Sequence, residues 1–241
     1  DSRWRQRGAG IRGLRDCSFF GGQLSEMVLG SNDATLIEVP GGQMPRSAFG
    51  HIFGSQMSVC WDMGLLRRPS ENDLKAMLDR LSKASAEGDP DGGDMMWQTM
   101  ARSLVGREIG IVSPTEMGAA GYRFACQINE NANGFANPTD LPEMNHNEIV
   151  AWHSEGQSRA MIALTCEGTH PRSQARMQWL MDNIESQVSW RIECEGESLL
   201  ERLLYAAHVT DWVSIMLAVL KENDPSEMAP IDSLKTHLST V

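Results

Sequence analysis

Apolar residues recur along this chain at two spacings, and the spacing changes from segment to segment. From Ser70 it is helical. Ser70 is a capping residue, Asp73 stands at the capping-box position, and Leu74, Met77, Leu78 and Leu81 follow at i, i+3, i+4 and i+7. This stripe predicts a helix ending near Gly88. Asp89-Pro-Asp-Gly-Gly reads as a turn and Asp94 as a cap. Trp97, Met100, Ala101 and Leu104 then form the buried face of a second helix, stopped by Gly106. Ser113-Pro-Thr-Glu116 repeats the capping-box spacing with Pro at the first helical position, and predicts a short third helix.

Further on the period drops to two. Tyr122, Phe124, Cys126 and Ile128 alternate with Arg123, Ala125 and Gln127, which predicts a half-buried strand. Residues 159–166, RAMIALTC, read as a largely buried strand. Val188, Trp190, Ile192 and Cys194 alternate again. Between these two strands an amphipathic helix runs from about Pro171 to Gln187, with Met177, Leu180, Met181 and Ile184 on one face. Near the start, Thr35–Val39 is a short strand, and 47–66 is an apolar, Gly-interrupted helix candidate. Asn129–Asn145 holds five Asn and two Pro and reads as a long surface loop, with Phe135 as its contact residue. A helix from Glu197 to Glu222 is apolar nearly all round from Trp212 to Leu220, and a last short helix spans Pro230–Leu238. The expected fold class is α+β, mainly helical, with four to six helices packed on a small mixed sheet. Residues 1–31 form a basic Gly/Arg-rich arm and loop. Residues 32–241 form a single domain, with the 129–145 stretch as a point of subdivision.

Charge changes this picture. The 241 residues carry a net charge of -11, yet Arg3, Arg5, Arg7, Arg12 and Arg15 give the first 16 residues a net charge of +3. A basic arm on an acidic body suits a neighbouring subunit or nucleic acid. Trp4, between Arg3 and Arg5, is placed to insert into a partner or stack on a base. No run of eighteen apolar residues marks a membrane span, and the basic N-terminus lacks the apolar core of a signal peptide. Five cysteines, at 17, 60, 126, 166 and 194, form no CxxC pair, so zinc-ribbon and thioredoxin motifs are absent. Free thiols favour the cytoplasm or another reducing compartment.

Among candidate motifs, Gly8-Ala-Gly10-Ile-Arg-Gly13 matches GxGxxG but has no strand before it and no helix after it, so a flexible arm explains it better. The richest run is Asn145-His-Asn-Glu-Ile-Val-Ala-Trp-His-Ser-Glu155. On a strand, His146 and Glu148 face one side and can supply two of three ligands for Fe or Zn, with His208 or His170 as the third. If the run is helical, His146 and His153 share a face instead. The His146-x-Glu148 element, with the strand ending at Cys166-Glu-Gly168, is similar to part of the taurine-dioxygenase-like Fe(II)/2-oxoglutarate oxygenases. That resemblance implies an iron site and a distal His followed by a co-substrate-binding Arg, but no Arg follows His208.

Taken together, these features give an expected function without catalysis and without a cofactor. The chain reads as a self-associating structural or adaptor subunit, of which a coat or nucleocapsid protein is the concrete version. Its partner-binding residues are Arg3, Trp4, Arg5, Arg7, Arg12, Phe135, Trp212 and Met216. It is expected to be a homo-oligomer, with nucleic acid held by the arm and no membrane span. The alternative is a metal-dependent enzyme, Fe(II)/2-oxoglutarate-oxygenase-like, built on His146, Glu148 and His208.

Overall fold

The computed structural model describes residues 15–19, 23–30, 34–89, 95–186 and 188–240. The chain divides into two compact units, residues 1–70 and 71–241. The division falls at residue 70, and the Asn-rich stretch lies within the second unit.

In the first unit β1 (Arg15–Phe19) and β2 (Ala34–Glu38) pair in parallel, joined through α1 (Gln23–Leu29). The glycine-interrupted segment forms α2 (Phe49–Asp62), where the Phe49 and Phe53 rings stack one helical turn apart.

The second unit opens with α3 (Glu71–Gly88) and α4 (Met95–Leu104). Strands and helices then alternate: β3 (Glu108–Pro114), α5 (Gly118–Ala132), β4 (Ala136–Leu141), α6 (Glu148–Glu155), β5 (Arg159–Thr165), α7 (Pro171–Asn183) and β6 (Val188–Glu193). It closes with α8 (Leu199–Leu220) and α9 (Ala229–Leu238). The strand order is β4-β3-β5-β6, and every pair is parallel. The expected α+β fold with a mixed sheet is therefore corrected to α/β with a wholly parallel four-stranded sheet and more helices than four to six. Parallel strands need a crossover element between them, and here α5, α6 and α7 supply it.

Side chains alternate between two cores. Ile109, Ile111, Ala160, Ile162, Leu164 and Ile192 face α4, α5 and α8. Val112, Met161 and Ala163 face α6 and α7, through Trp152, Met177 and Leu180. Helices thus cover both faces, as an all-parallel sheet requires. At the central strand Gly110 has no side chain because the Trp152 ring occupies that space. A Cβ there would collide with it.

Residues 122–128 are helical, not a strand. Over the longer window Met117, Ala120, Phe124, Ile128 and Ala132 are buried, which is the 3.6-residue period, while Tyr122 points to solvent. The stretch read as a loop contains β4, whose central residues are Asn137, Pro138 and Thr139.

The 22-residue helix α8 is the one described helix long and apolar enough to cross a membrane, with a mean hydropathy of 1.6. It is instead a core helix, packed against α3, α4 and α5. Ala206, Val209, Val213 and Leu217 are buried there. Met216 is buried as well, and the half-buried Trp212 ring covers Gly88 of α3. Of the apolar residues in the second half of α8, only Ile215 and Val219 stay exposed. The fold's own helices hide most of the surface that suggested a coat subunit.

Candidate functional site

The chain runs from β3 to β4 on one side, then crosses back to β5 on the other. The helix after β3 lies on one face of the sheet and the helix after β5 on the opposite face. The carboxyl ends of β3 and β5 therefore part at a topological switch point, where open α/β sheets bind ligands. A narrow cleft of about 20 Å3 opens there. Pro114, Leu141 and Thr165 come from the strand ends, and Thr169, Ser173 and Gln174 from the entry to α7.

Two helix starts frame this edge differently. At α5 the first residue, Gly118, lies against the Asp140 carboxylate, and a Cβ there would come within 2.9 Å of both its oxygens. Ser113 Oγ donates to Asp140 Oδ1 at 3.0 Å. A negative charge from β4 thus already fills the positive end of α5. At α7, His170 Nδ1 accepts the backbone N–H of Arg172 at 3.2 Å and Pro171 takes the first helical position.

Behind the sheet a second group of polar residues joins α5 to α8. Asp211 accepts from Arg123 at 2.6 Å and from Gln127 at 2.7 Å. Asn131 donates to Ser214 at 2.9 Å. Burial pushes the Asp211 carboxyl up, and the Arg123 guanidinium opposes it. His208 Nε2 lies 2.7 Å from Ser85 Oγ, and burial holds its imidazole below the ordinary value. Sequence reading missed Arg123 and Gln127 because their segment alternates like a strand, and Asn131 because it falls in the stretch that reads as a surface loop. Their four-residue spacing, matched by the three-residue spacing of His208, Asp211 and Ser214, is the signal that finds them.

The sequence candidates fall in separate places. His146 ends a single-turn 3-10 helix, Glu143–His146, after β4. Asn147 caps α6 by accepting the Glu148 N–H, and Glu148 stands in the first turn of α6. The His-x-Glu element is thus not on a strand. His146 and Glu148 are exposed at the carboxyl edge, while His208 is tied to Ser85 behind the sheet. Among the described residues no group of three or more His, Cys, Asp or Glu could hold a metal, so the proposed triad is not assembled. Phe135 lies beside the amino end of β4, away from the carboxyl edge. Arg3, Trp4, Arg5, Arg7 and Arg12, and the GxGxxG match, lie outside the described residues.

Comparison with known proteins decides the family. Residues 97–238 match the family described as bacterial phospho-glucose isomerase C-terminal SIS domain. The chain belongs to this family. A bifunctional phosphoglucose/phosphomannose isomerase of Aquifex aeolicus is 31% identical over 237 residues, covering 96% of this chain and 69% of that protein. A protein of the same description from Thermoplasma acidophilum is 28% identical over 91% of this chain and 66% of its own length. The chain thus spans about two thirds of these relatives. Among solved structures, a tagatose-6-phosphate ketose/aldose isomerase from Escherichia coli superposes with a TM-score of 0.63 at 13% identity, over 88% of this chain and 61% of that one. A glucose-6-phosphate isomerase like protein from Thermus thermophilus gives 0.61 at 16% identity, over 88% and 72%. These last two show the shared SIS fold. Membership of an isomerase family overturns the coat-or-adaptor reading and the Fe(II)/2-oxoglutarate reading alike, and with them the expectation that the chain is not an enzyme.

Proposed function

We propose that this chain is a sugar-phosphate isomerase interconverting phosphorylated aldose and ketose hexoses, of the phosphoglucose/phosphomannose type. The observation that carries this reading is the 31% identity to the Aquifex aeolicus isomerase over 96% of the chain. The reaction moves a proton between two adjacent carbons through an enediol, and so needs a positioned acid and base. At the carboxyl edge the groups with that chemistry are His146 and Glu148, with His170 at the next helix start. The phosphoryl group needs an anchor other than the α5 amino end, which Asp140 occupies. Cys60, Cys126, Cys166 and Cys194 form no disulfide, which supports a reducing compartment. Pairing with a second copy remains part of the proposal, and light scattering tests it.

The purified chain should convert fructose 6-phosphate to glucose 6-phosphate and mannose 6-phosphate in deuterated buffer, with deuterium entering at C2, followed by NMR. The Aquifex aeolicus relative serves as the positive control. His146→Gln or Glu148→Gln should lower kcat by about 100-fold. Turnover unchanged in both variants would remove these residues from the reaction. No turnover beside an active control would remove the reading itself.

A further inference from the structure

One side chain joins the loops that leave β5 and β6 at the carboxyl edge. Ser198 Oγ accepts the Glu201 N–H at 3.3 Å, and the Glu201 carboxylate accepts the Glu197 N–H at 3.1 Å. The spacing Ser198-x-x-Glu201 thus starts α8 in the manner of a capping box. Arg202 follows directly. Helical side chains lean toward the amino end of their helix, so its guanidinium reaches back over the capping turn. There Nε donates to the Gly196 carbonyl at 2.9 Å, and Nη1 donates to the Glu167 carbonyl at 2.7 Å. Nη2 lies 3.7 Å from the Glu167 carboxylate, whose side chain is 90% exposed. An ion pair so open to water contributes little. The guanidinium therefore grips backbone, one carbonyl from each loop.

Both loops are shaped for this grip. Gly196 lies so close to α8 that a Cβ would come within 2.8 Å of the Arg202 backbone nitrogen. Gly168, with φ 81°, turns the chain directly after the held Glu167 carbonyl. The loop after β5 also carries groups of the candidate site. Cys166 and Thr169 line the switch-point cleft, and His170 caps α7. Within the loop Thr169 Oγ1 and Cys166 Sγ lie 3.3 Å apart. Among the described residues, Arg202 is the one side chain from another element that bonds the backbone of Glu167–Thr169. A planar guanidinium fixes direction as well as distance, which an ammonium does not.

We propose, on the isomerase reading above, that Arg202 is a positioning residue for the hexose-phosphate reaction. It touches no substrate. It fixes the β5–α7 loop, and so sets where Thr169 and His170 stand toward the sugar phosphate. Arg202→Met should raise KM for fructose 6-phosphate about tenfold, since small displacements of positioning groups are costly. KM does not depend on how much of the enzyme is folded, so a loss of stability alone leaves it unchanged. Arg80→Met is the control. Arg80 bonds carboxylates at the start of α8, Glu201 at 2.6 Å and Glu197 at 3.5 Å, rather than the β5–α7 loop. Its loss should lower the melting temperature and leave KM at the parental value. Arg202→Lys keeps the charge and the stem but not the planar fork, and should raise KM about threefold. It carries the test if the Met variant does not fold. Hydrogen exchange read by mass spectrometry should show the amides of 167–170 opening about tenfold faster in the Arg202 variants. A parental KM in whichever Arg202 variants fold, an equal rise in Arg80→Met, or loop exchange as slow as in the parent would each overturn this role. Absence of turnover in the parent would remove the isomerase reading itself, and this role with it.

Discussion

Ser85 Oγ lies 2.7 Å from Nε2 of His208, a hydrogen bond that ties α3 to α8. A backbone hydrogen bond to Leu81 holds the same imidazole. Burial is the larger influence and holds the His208 value below 6.5, although Asp211 pulls it up. The unfolded chain therefore binds this proton more readily than the folded one. The contribution of His208 to stability is full above about pH 6.5, and it is lost as pH falls below that value. Asp211 has the opposite sign. Its carboxyl is raised by burial, so the fold gains stability as pH falls toward about 4. Denaturant midpoints measured from pH 7.5 to 5.5 should fall, and His208→Gln should flatten that slope. An unaltered slope in the variant would show that another group sets it.

Gly110 should tolerate no side chain. The Trp152 ring, 5% exposed, occupies the space where a Cβ would stand. Gly110→Val must displace the indole or bend the central strand, at a cost of about 3 kcal/mol. For a chain of this size that lowers the melting temperature by roughly 6–12 °C. A melt within 2 °C of the parent (on the order of 0.5–1 kcal/mol) would show that α6 yields easily.

Asp140→Ala should cost about 1 kcal/mol, the usual loss when a helix start loses its anionic partner. It also uncovers the positive end of α5. Sulfate should then raise the melting temperature of the variant more than that of the parent. Equal responses to sulfate would mean that Asp140 does not occupy an anion site.

Asp211→Ala removes the acceptor shared by Arg123 and Gln127, in a place where the carboxylate side chain is only 27% exposed. A loss of about 2 kcal/mol is expected, since hydrogen bonds to a charged group exceed those between neutral ones. In a double-mutant cycle with Arg123→Met the two losses should be clearly non-additive. Additive losses would place their main interactions elsewhere.

Much of the second unit was legible in the sequence where one face of an element is clearly apolar. Trp97, Met100, Ala101 and Leu104 are all buried on α4, as their spacing required. β5 and β6 begin where the apolar run and the alternation begin. The segments that misled share a cause. Across seven residues Phe124 and Ile128 fit a period of two and a period of 3.6 equally well. Only the wider window from Met117 to Ala132 separates them. β4 carries Asn137, Pro138 and Asp140 because it is an edge strand, where proline and polar residues are tolerated. Once α5 was misread and β4 missed, the β-α-β succession that marks a doubly wound sheet was hidden. The switch-point site was hidden with it. The candidate residues His146 and Glu148 do reach the carboxyl edge, but on a turn and a helix start rather than a strand.

The long apolar helix that fills one side of the sheet follows, in chain order, every strand it covers. Until residue 220 has left the ribosome, Ile111, Ile162 and Leu164 have only α4 and α5 over them, and the growing polypeptide presents a broad sticky surface. Premature stops before α8 should therefore yield insoluble or chaperone-held products rather than smaller folded ones, as comparison of a chain ending at residue 198 with the 241-residue chain will reveal.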